Sequence, residues 1–506
     1  MSGTSRGYSS TSCWTCRRRR VKCDRALPEC HKCLAGEEHC QGYNESRPLR
    51  WTNGVASRGK LMGKRVPIID ANKSSASIIR SLEDPAVQDL SPINRGYIKY
   101  FDRYCSVESA LYDSDATNPF REFMRIIPSS KGLSHAMMSI AALHQARRKS
   151  NGRAVKLEHS PTLGDDACMT ISPRTNIIED DPRAVYDSLK HKQHALQQIQ
   201  KELSSCDSGN IEGTIASILL LVWQDCMDSG TNSWRYHLDA LKEIAELQKS
   251  SAKFQPGRCF FFDFARYERC LEMTYATPFL TITSRLHILG TTFIQSKTDY
   301  QPLLSEISPR EMMRFSDSEL WAGCPAELLY IISILNNISR SQSILSEFTT
   351  EILPALHGFS PMKWAIRSDK PELMKTRYHL ASVYKHSVAI YMSQVLCQLP
   401  HGQNIHIDTP ASLDPTILHI ESISPEDTLF KGLVWPAFVI GAEAKDRSQR
   451  MAIVRVFEHL WDIWRCQNVK NASDVLQNLW TRNDESITPV SWIGEIYRSG
   501  MDWIFV

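Results

Sequence analysis

The sequence predicts a mostly α protein, made of a small cysteine-rich N-terminal segment and a large all-α remainder. Three observations support this prediction. Six of the 15 cysteines stand between Cys13 and Cys40 in a regular spacing. Beyond about residue 92, apolar residues recur at the three- and four-residue intervals typical of helices. The same region shows no sustained strand alternation, no hairpin dipeptides and no β-α-β rhythm.

The charge is unevenly distributed along the chain. The 506 residues carry a formal net charge of only +3. Residues 1–65 contain 14 lysines and arginines against 5 acidic residues, whereas the remainder contains 45 against 51. A basic segment on a mildly acidic body indicates a polyanionic partner for the N-terminal segment. A solvated basic tail is the alternative interpretation of these charges.

The cysteine usage and the N-terminal residues predict a reducing compartment. The cysteine total is odd, and the opening MSGTSRGYSS has no apolar stretch typical of a secretory signal. The longest apolar run, residues 218–223, is far shorter than the roughly 20 residues of a membrane span, so we expect no membrane partner. The nine cysteines outside the N-terminal segment are scattered, and we expect them to be small buried side chains.

The cysteine-rich segment contains two copies of C-x2-C-x6-C, joined by a six-residue loop. In a reducing compartment, C-x2-C pairs indicate zinc sites rather than disulfides. Two tetrahedral zinc ions need eight ligand positions, so two of the six thiolates would have to bridge both ions. The repeat makes Cys13 and Cys30 equivalent, which favours them as the bridging pair. The ligand sets are then Cys13, Cys16, Cys23 and Cys30 for one ion, and Cys30, Cys33, Cys40 and Cys13 for the other.

Charge and length agree with two structural zinc ions in this segment. Two Zn²⁺ ions and six thiolates sum to a charge of −2, which offsets part of the repulsion among the arginines at 17–20. A segment this short has no apolar core, so metal binding has to supply its folding free energy. The alternatives are a disulfide knot, a one-zinc ribbon and a metal store. His31 and His39 could also bind zinc, but six cysteines fill both sites, so we expect them on the surface.

The stretch CWTCRRRRVKCDRALPECHKCLAGEEHC, residues 13–40, resembles the DNA-binding domain of the fungal binuclear zinc-cluster transcription factors. The likeness lies in the cysteine spacing, the basic run before the third cysteine and Pro28 in the joining loop. We expect each half to form a short helix and then an extended strand, with the first helix running from about Trp14 to Lys22. The resemblance implies that this helix meets the major groove end-on, at a CGG-type half-site.

The resemblance also implies which basic residues contact DNA. Arg19 and Arg20 match the family's base-contacting pair, and a guanidinium fork suits O6 and N7 of guanine. Lys22 and Arg25 match positions that contact phosphates, which give affinity without sequence information. A helix docked side-on would instead favour Arg18 and Lys22 as base readers. The candidate DNA-binding residues are Arg17, Arg18, Arg19, Arg20, Lys22 and Arg25.

Residues 46–91 are expected to be a flexible basic linker between a zinc-cluster domain at 8–45 and a helical domain at 92–505. Prolines, glycines and serines are frequent there, and a second basic group occupies residues 58–65. This group could be a nuclear-import signal, a set of further phosphate contacts or a plain solvated linker. The apolar residues do not sustain three heptads, so no coiled coil is predicted and homodimerisation stays open.

Several helices are expected in the large remainder. Residues 133–141 and 234–247 keep an apolar face, while residues 215–223 are apolar nearly all round, as in a buried helix. Residues 149–182 are expected to be a polar insertion, and the aromatic residues at 260–267 are expected to lie in the core.

The stretch 185–203 is expected to be amphipathic. Its predicted apolar face consists of Val185, Leu189, Leu196, Ile199 and Leu203. His191 and His194 also lie on this stretch, three residues apart. No acid or cysteine partner completes a metal site with them, so we expect a solvated face for both.

The remainder contains no H-E-x-x-H, G-x-S-x-G, G-x-G-x-x-G or phosphate-loop motif, so we expect no enzyme activity. It resembles the fungal-specific regulatory domain that often follows such a zinc cluster, and in that family these domains modulate activation and bind effectors or co-regulators. The matching stretches are NPF at 118–120, SWRYHLDALKEI at 233–244, GCPAELLYIISIL at 323–335, YKHSVAIYMSQVL at 384–396 and WPAFVIGAEA at 435–444.

The sequence therefore predicts a nuclear, sequence-specific transcription factor of the RNA polymerase II type. Its partners are double-stranded DNA and co-regulators, with a homodimer left open, and its cofactors are two structural Zn²⁺ ions. We expect it to control a metabolic or secondary-metabolite gene set. The alternative is an enzyme or a protein-interaction module that carries an appended zinc cluster. The missing catalytic motifs disfavour the enzyme, and the basic run disfavours the interaction module.

Overall fold

The computed structural model of the chain forms two compact units, Met1–Ser81 and Leu82–Val506. The residues that it describes are 7–44, 85–110, 118–151, 181–204, 211–250, 276–294, 323–338, 348–368, 370–399, 405, 407, 409, 412–486 and 490–506. The expected polar insertion, the aromatic stretch at 260–267 and most of the expected linker lie outside these residues.

The described part of the first unit contains two short helices, α1 (Trp14–Arg19) and α2 (His31–Leu34). Each begins directly after the first cysteine of its half, because the thiol of that cysteine accepts a backbone N–H three residues on and so caps the helix.

The expectation that the first helix reaches Lys22 is wrong, because α1 ends at Arg19. Arg20 is left-handed, with φ of 54°, and its N–H closes the last turn on the carbonyl of Arg17. The turn lets the chain double back so that Cys23 reaches the other sulfurs. No strand follows either helix in residues 7–44, where the β-type pairing is an isolated bridge between Tyr8 and Ala26.

The described residues of the second unit form helices, short connections and one isolated bridge, between Thr231 and Trp503. Its α-helices are α3 (Pro92–Tyr100), α4 (Ser106–Ser109), α5 (Phe123–Ile126), α6 (Lys131–Asn151), α7 (Pro182–Ser204), α8 (Ile211–Asp228), α9 (Ser233–Ser250), α10 (Ala276–Thr291), α11 (Ala326–Ile338), α12 (Leu353–Gly358), α13 (Pro361–Ala365), α14 (Met374–Cys397), α15 (Asp414–Glu421), α16 (Val434–Ala442), α17 (Arg447–Trp464), α18 (Gln467–Glu485) and α19 (Trp492–Arg498). Short 3₁₀ or π turns are Pro85–Val87, Phe101–Cys105, Pro119–Glu122, Ile127–Ser129, Phe348–Ile352, Pro371–Leu373 and Thr428–Leu433.

Helices α6 to α9 pack successively against one another, with α8 enclosed by its neighbours. Fourteen residues of α8 are buried, as the all-round apolar stretch predicts. Leu133, Met137 and Ile140 of α6 are fully buried on the predicted face. The predicted mostly helical fold is therefore confirmed. Among the helices of the described residues, we find no candidate for a membrane span.

The predicted apolar face of α7 is wrong for three of its five residues. Leu189, Leu196 and Leu203 are 52%, 42% and 48% exposed. The buried residues of this helix are Ala184, Ser188, His191, Ala195 and Ile199. Small side chains let α6 and α7 approach closely, and the Ser139 hydroxyl donates to the Ser188 carbonyl at 2.8 Å.

The expected solvated face for His191 is also wrong, since this side chain is only 5% exposed. Burial, the largest effect, lowers the pKa of both His191 and His135 to about 4. Both imidazoles are therefore neutral at physiological pH.

The C-terminal helices enclose an aromatic core. All nine residues of α16 are buried, and this helix contacts α14, α17 and α18. Rings of Phe293, Phe438 and Phe505 pack with centroids 4.7–5.1 Å apart, and Trp492 closes the group. Aromatic packing of this kind supplies much of the buried area of a core.

The scattered cysteines only partly follow the expectation. Cys105, Cys226, Cys324 and Cys466 are buried, but Cys397 is exposed at the end of α14. The other four, at positions 168, 206, 259 and 270, lie outside the described residues.

Candidate metal centre and nucleic-acid interface

The six cysteines of the N-terminal segment converge on one buried point. The Sγ atom of Cys13 lies 3.6 Å from that of Cys30 and 3.7 Å from that of Cys33. Cys16 approaches the same two sulfurs at 3.7 and 3.8 Å. Two tetrahedral sulfurs on one zinc ion, each about 2.3 Å from the metal, would stand about 3.8 Å apart. The separations of Cys13 from Cys30 and Cys33, and of Cys16 from Cys30, therefore fit shared zinc coordination, whereas Cys16 and Cys33 are neighbours that belong to different ligand groups.

Two overlapping groups of four sulfurs each have all their members within 4.8 Å of one another. The groups are Cys13, Cys16, Cys23 and Cys30, and Cys13, Cys30, Cys33 and Cys40. Cys13 and Cys30 belong to both groups, and these are the cysteines that the sequence repeat favours as bridges. The arrangement is pseudo-symmetric, since each of these two residues also caps the helix of its own half.

The thiols of the two cysteines that belong to both groups are strongly affected by their surroundings. Burial, the largest effect, raises the pKa of Cys13 to about 12 and that of Cys30 further still. Zinc binds thiolates, so occupation of the centre involves release of these protons.

Three hydrogen bonds that sequence reasoning missed close the segment around the sulfurs. The hydroxyl of Thr15, fully buried in α1, donates to the carbonyl of His39 at 2.9 Å and accepts the N–H of Gln41 at 3.0 Å. The hydroxyl of Tyr43 donates to the carbonyl of Ala26 at 2.6 Å. These bonds join the end of the segment to its first half. The sequence feature that pointed to these hydrogen bonds is the place of Thr15 between two candidate metal ligands.

His31 and His39 lie on the surface of the segment. The ring of His31 faces Asp24 rather than the sulfurs, with Nδ1 2.6 Å from the carboxylate, which also accepts the backbone N–H of His31 at 2.9 Å. Desolvation, the largest single effect, raises the pKa of Asp24, but the hydrogen bonds and the electrostatic interaction with His31 together lower it below its ordinary value. The six sulfurs are thus left as the ligand set without either imidazole.

All six candidate DNA-binding residues are exposed, but three of them have partners within the segment. The guanidinium of Arg17 lies over the ring of Trp14, 4.9 Å from its centroid. Arg19 lies 3.6 Å from the carboxylate of Glu38 in the second half. Arg25, with φ of 63°, donates to the carbonyl of Ser10 at 3.3 Å.

Arg18, Arg20 and Lys22 have no side-chain ion pair or hydrogen bond within residues 7–44. Arg20 stands at the open C-terminal end of α1, and Lys22 directly precedes the third cysteine. Three exposed cations thus lie within a few residues of one helix end. The residues without such partners are Arg20 of the end-on pair and both members of the side-on pair, whereas Arg19 has an acidic partner in Glu38.

Two family matches cover most of the chain. Residues 11–50 match the family described as the fungal Zn(2)-Cys(6) binuclear cluster domain. Residues 97–506 match the family described as the fungal specific transcription factor domain. The first match implies two zinc ions, in agreement with the sulfur geometry and with the predicted cofactors.

Curated relatives carry names of transcriptional regulators or related control proteins. The acriflavine sensitivity control protein acr-2 of Neurospora crassa is 22% identical over 80% of this chain and 65% of its own length. Arginine metabolism regulation protein II of Saccharomyces cerevisiae is 26% identical over 37% of this chain and 21% of its own length. The pestheic acid cluster transcriptional regulator 3 of Pestalotiopsis fici is 22% identical over 47% of this chain and 48% of its own length.

The matches thus span at most 65% of the length of these relatives. No solved structure matches the chain.

Proposed function

Because this chain belongs to the fungal transcription factors that join a binuclear zinc cluster to a fungal-specific transcription factor domain, we propose that it regulates transcription in the nucleus by binding specific DNA sequences. The observation that carries the proposal is the helix end at Arg20. There, exposed cations without partners in the described segment stand on a scaffold held by six convergent sulfurs.

The two zinc ions would supply the folding free energy that a core supplies in larger domains. In the proposed scheme, Cys13 and Cys30 bridge, Cys16 and Cys23 complete one site, and the second C-x2-C-x6-C half completes the other. All six cysteines are buried at 8% exposure or less, which supports a structural rather than a catalytic role. The position of α1 relative to DNA then depends on the metal, because the thiols that cap the helices would also be ligands.

We assign different tasks to the basic residues. With α1 end-on to the major groove, Arg20 is closest to the bases, and its guanidinium fork can meet O6 and N7 of a guanine. Lys22 and Arg18 flank the helix end and neutralise phosphates. Arg19 supports the interface while its side chain stays near Glu38 of the second half. A CGG-type triplet is the half-site that this assignment favours.

The names of the relatives favour a metabolic role. One relative is named for arginine metabolism and another for a pestheic acid gene cluster. We therefore propose that this chain controls the genes of a metabolic or secondary-metabolite pathway. The helical unit would modulate that activity through co-regulators, and enzymatic activity is not part of the proposal.

The test is a titration of the zinc-loaded full chain against two duplexes. One duplex contains a CGG triplet, and the other has the same base composition in scrambled order. We expect at least about tenfold tighter binding to the CGG duplex at moderate salt, since each good base contact contributes about 1–3 kcal/mol. Equal affinity for both duplexes would show that the segment binds only phosphates, and no binding at all would favour a protein-interaction module.

A further inference from the structure

Three histidines outside the cysteine segment lie together on two neighbouring helices. His135 lies in the second turn of α6, and His191 and His194 lie one turn apart on α7. Residues three apart on a helix share a face. Because α6 and α7 pack along their lengths, this face of α7 meets His135.

The three imidazoles converge closely enough to hold one cation. The Nδ1 atoms of His135 and His191 lie 3.0 Å apart, and one ring nitrogen from each of the three residues lies within 4.8 Å of the others. The ring of His135 is 5.2 Å from that of His191 and 4.9 Å from that of His194, measured between centroids. Two imidazoles on one zinc ion, each at about 2.0–2.1 Å, have nitrogens about 3.3 Å apart. Small side-chain rotations suffice to reach that geometry.

The surroundings suit a cation with one open position. His191 is buried, whereas His135 and His194 are half-buried, so the centre is reached from the surface of the helix pair. Asp187, one turn before His191, accepts a hydrogen bond from the hydroxyl of Tyr97 at 2.8 Å and adds a negative charge nearby. Within the described residues, the three rings make one hydrogen bond to each other and none to other groups.

We propose that His135, His191 and His194 bind one Zn²⁺ ion, with water as the fourth ligand, independently of the zinc ions of the cysteine segment. Three protein ligands and an open position are typical of zinc sites that are not purely structural. Imidazole nitrogen also suits other borderline metals, of which Co²⁺ is a useful spectroscopic substitute. The ion cross-links α6 to α7 and makes the packing of this helix pair dependent on metal.

A second imidazole pair offers a matched control. His379 and His419 have their Nδ1 atoms 2.8 Å apart, but the metal-ligand groups of the described residues include no third ligand there. Replacement of one member of this pair removes an imidazole contact of the same kind without affecting the three-histidine centre.

The experiment counts the zinc ions bound per full chain. The protein is saturated with zinc, unbound metal is removed by gel filtration, and the bound metal is measured by mass spectrometry. We expect about three ions per chain for the wild type and for His379→Gln, and one fewer for His194→Gln. In His194→Cys, the third ion should return, and Co²⁺ bound there should add thiolate charge-transfer absorption beyond that of the cysteine segment in Co²⁺-loaded wild type. A wild-type count no higher than that of folded His194→Gln would overturn the proposal.

Should His194→Gln prove misfolded by circular dichroism, the wild-type count and the Co²⁺ spectrum of His194→Cys still decide the matter. A wild-type count of three supports the centre, and a His194→Cys spectrum with no absorption beyond that of the wild type overturns it. A failure of the cysteine segment would look different, because it would remove zinc from all variants equally.

Discussion

Arg20 and Lys22 stand two residues apart but are assigned to different parts of DNA. We expect Arg20→Ala to cost about 1–3 kcal/mol on the CGG duplex and to relax specificity at one base position. Lys22→Ala should weaken binding to all sequences and reduce the dependence of affinity on salt by about one unit of slope. Titrations of both variants at several salt concentrations measure this. If both variants lose affinity in the same way on both duplexes, the division of tasks is wrong.

A buried carboxylate fixes three helices of the large unit. Asp225 on α8 is 1% exposed and lies 2.6 Å from the Nζ atom of Lys192 on α7 and 3.3 Å from the Nε2 atom of His237 on α9. Lys192→Ala leaves that carboxylate without its closest cation, and we expect it to lower the free energy of unfolding by about 3–5 kcal/mol.

Denaturant unfolding of Lys192→Ala measures this loss. The exposed Lys190 on the same helix is the matched control, and Lys190→Ala should change stability by less than about 0.5 kcal/mol. Addition of Asp225→Asn to Lys192→Ala should recover part of the loss. Equal stability of the two lysine variants would mean that the contact contributes nothing.

A histidine pair makes stability depend on pH. Burial first, and then the mutual proximity of the rings and the charge of Lys375, lower the pKa of His379 below its ordinary value of 6.5, and burial lowers that of His419. The ring of His386 lies next to that of His419, and its Nδ1 atom contacts the hydroxyl of Thr416. Because the folded state resists protonation, the unfolded state binds more protons below about pH 6.5.

The stability that this pair contributes is therefore complete above pH 6.5 and is lost as the pH falls below it. Thermal unfolding between about pH 7.5 and 5 should show a shallower decline for His379→Gln than for the wild type. The exposed His357→Gln serves as the control and should follow the wild type. Parallel profiles for all three proteins would rule out this origin of the pH dependence.

Between α8 and α9, the chain turns at a glycine that no other residue can replace without strain. Gly230 has φ of +65°, and a Cβ atom there would lie 2.7 Å from the Cα atom of Asn468 at the start of α18. Gly500, after α19, has φ of +68° but nothing within 4 Å of such an atom. Comparison of the two glycines separates backbone conformation from close approach.

We expect Gly500→Ala to cost about 1–2 kcal/mol, from left-handed backbone alone. Gly230→Ala should cost about 1–3 kcal/mol more, because two backbones have to separate. Thermal unfolding midpoints of the two variants give the comparison. Equal midpoints would show that the contact with Asn468 relaxes freely.

Helix existence could be predicted from the sequence better than helix orientation. The all-round apolar stretch of α8 is buried as expected, because no other environment suits it. On α7 the large leucines suggested one face, yet Ala184, Ser188 and Ala195 are buried instead. Close packing against α6 favours small side chains, and this depends on a partner helix that periodicity does not reveal. The convergence of His135 with His191 was hidden for the same reason.

At the scale of the whole molecule, the cysteine spacing was the strongest signal, because ligand number and repeat symmetry restrict how six sulfurs can share two ions. The backbone at Arg20 was not predictable in the same way. Sequence pattern alone predicts that the helix continues through the basic run. The left-handed turn at Arg20 follows from the return of Cys23 to the other sulfurs. The helical unit has no comparable pattern of ligand spacing, so its sequence supports the family resemblance but names no effector.

Zinc is proposed to hold the DNA-reading surface in shape, and removal of the metal shows whether it does. The affinity of the full chain for the CGG duplex relative to the scrambled duplex is measured before chelation, after chelation and after zinc is restored. We expect the preference for CGG to be lost with the metal and to return with it, while weak salt-sensitive binding to both duplexes persists. A preference for the CGG duplex that survives complete removal of zinc would show that the metal is not needed to read the sequence.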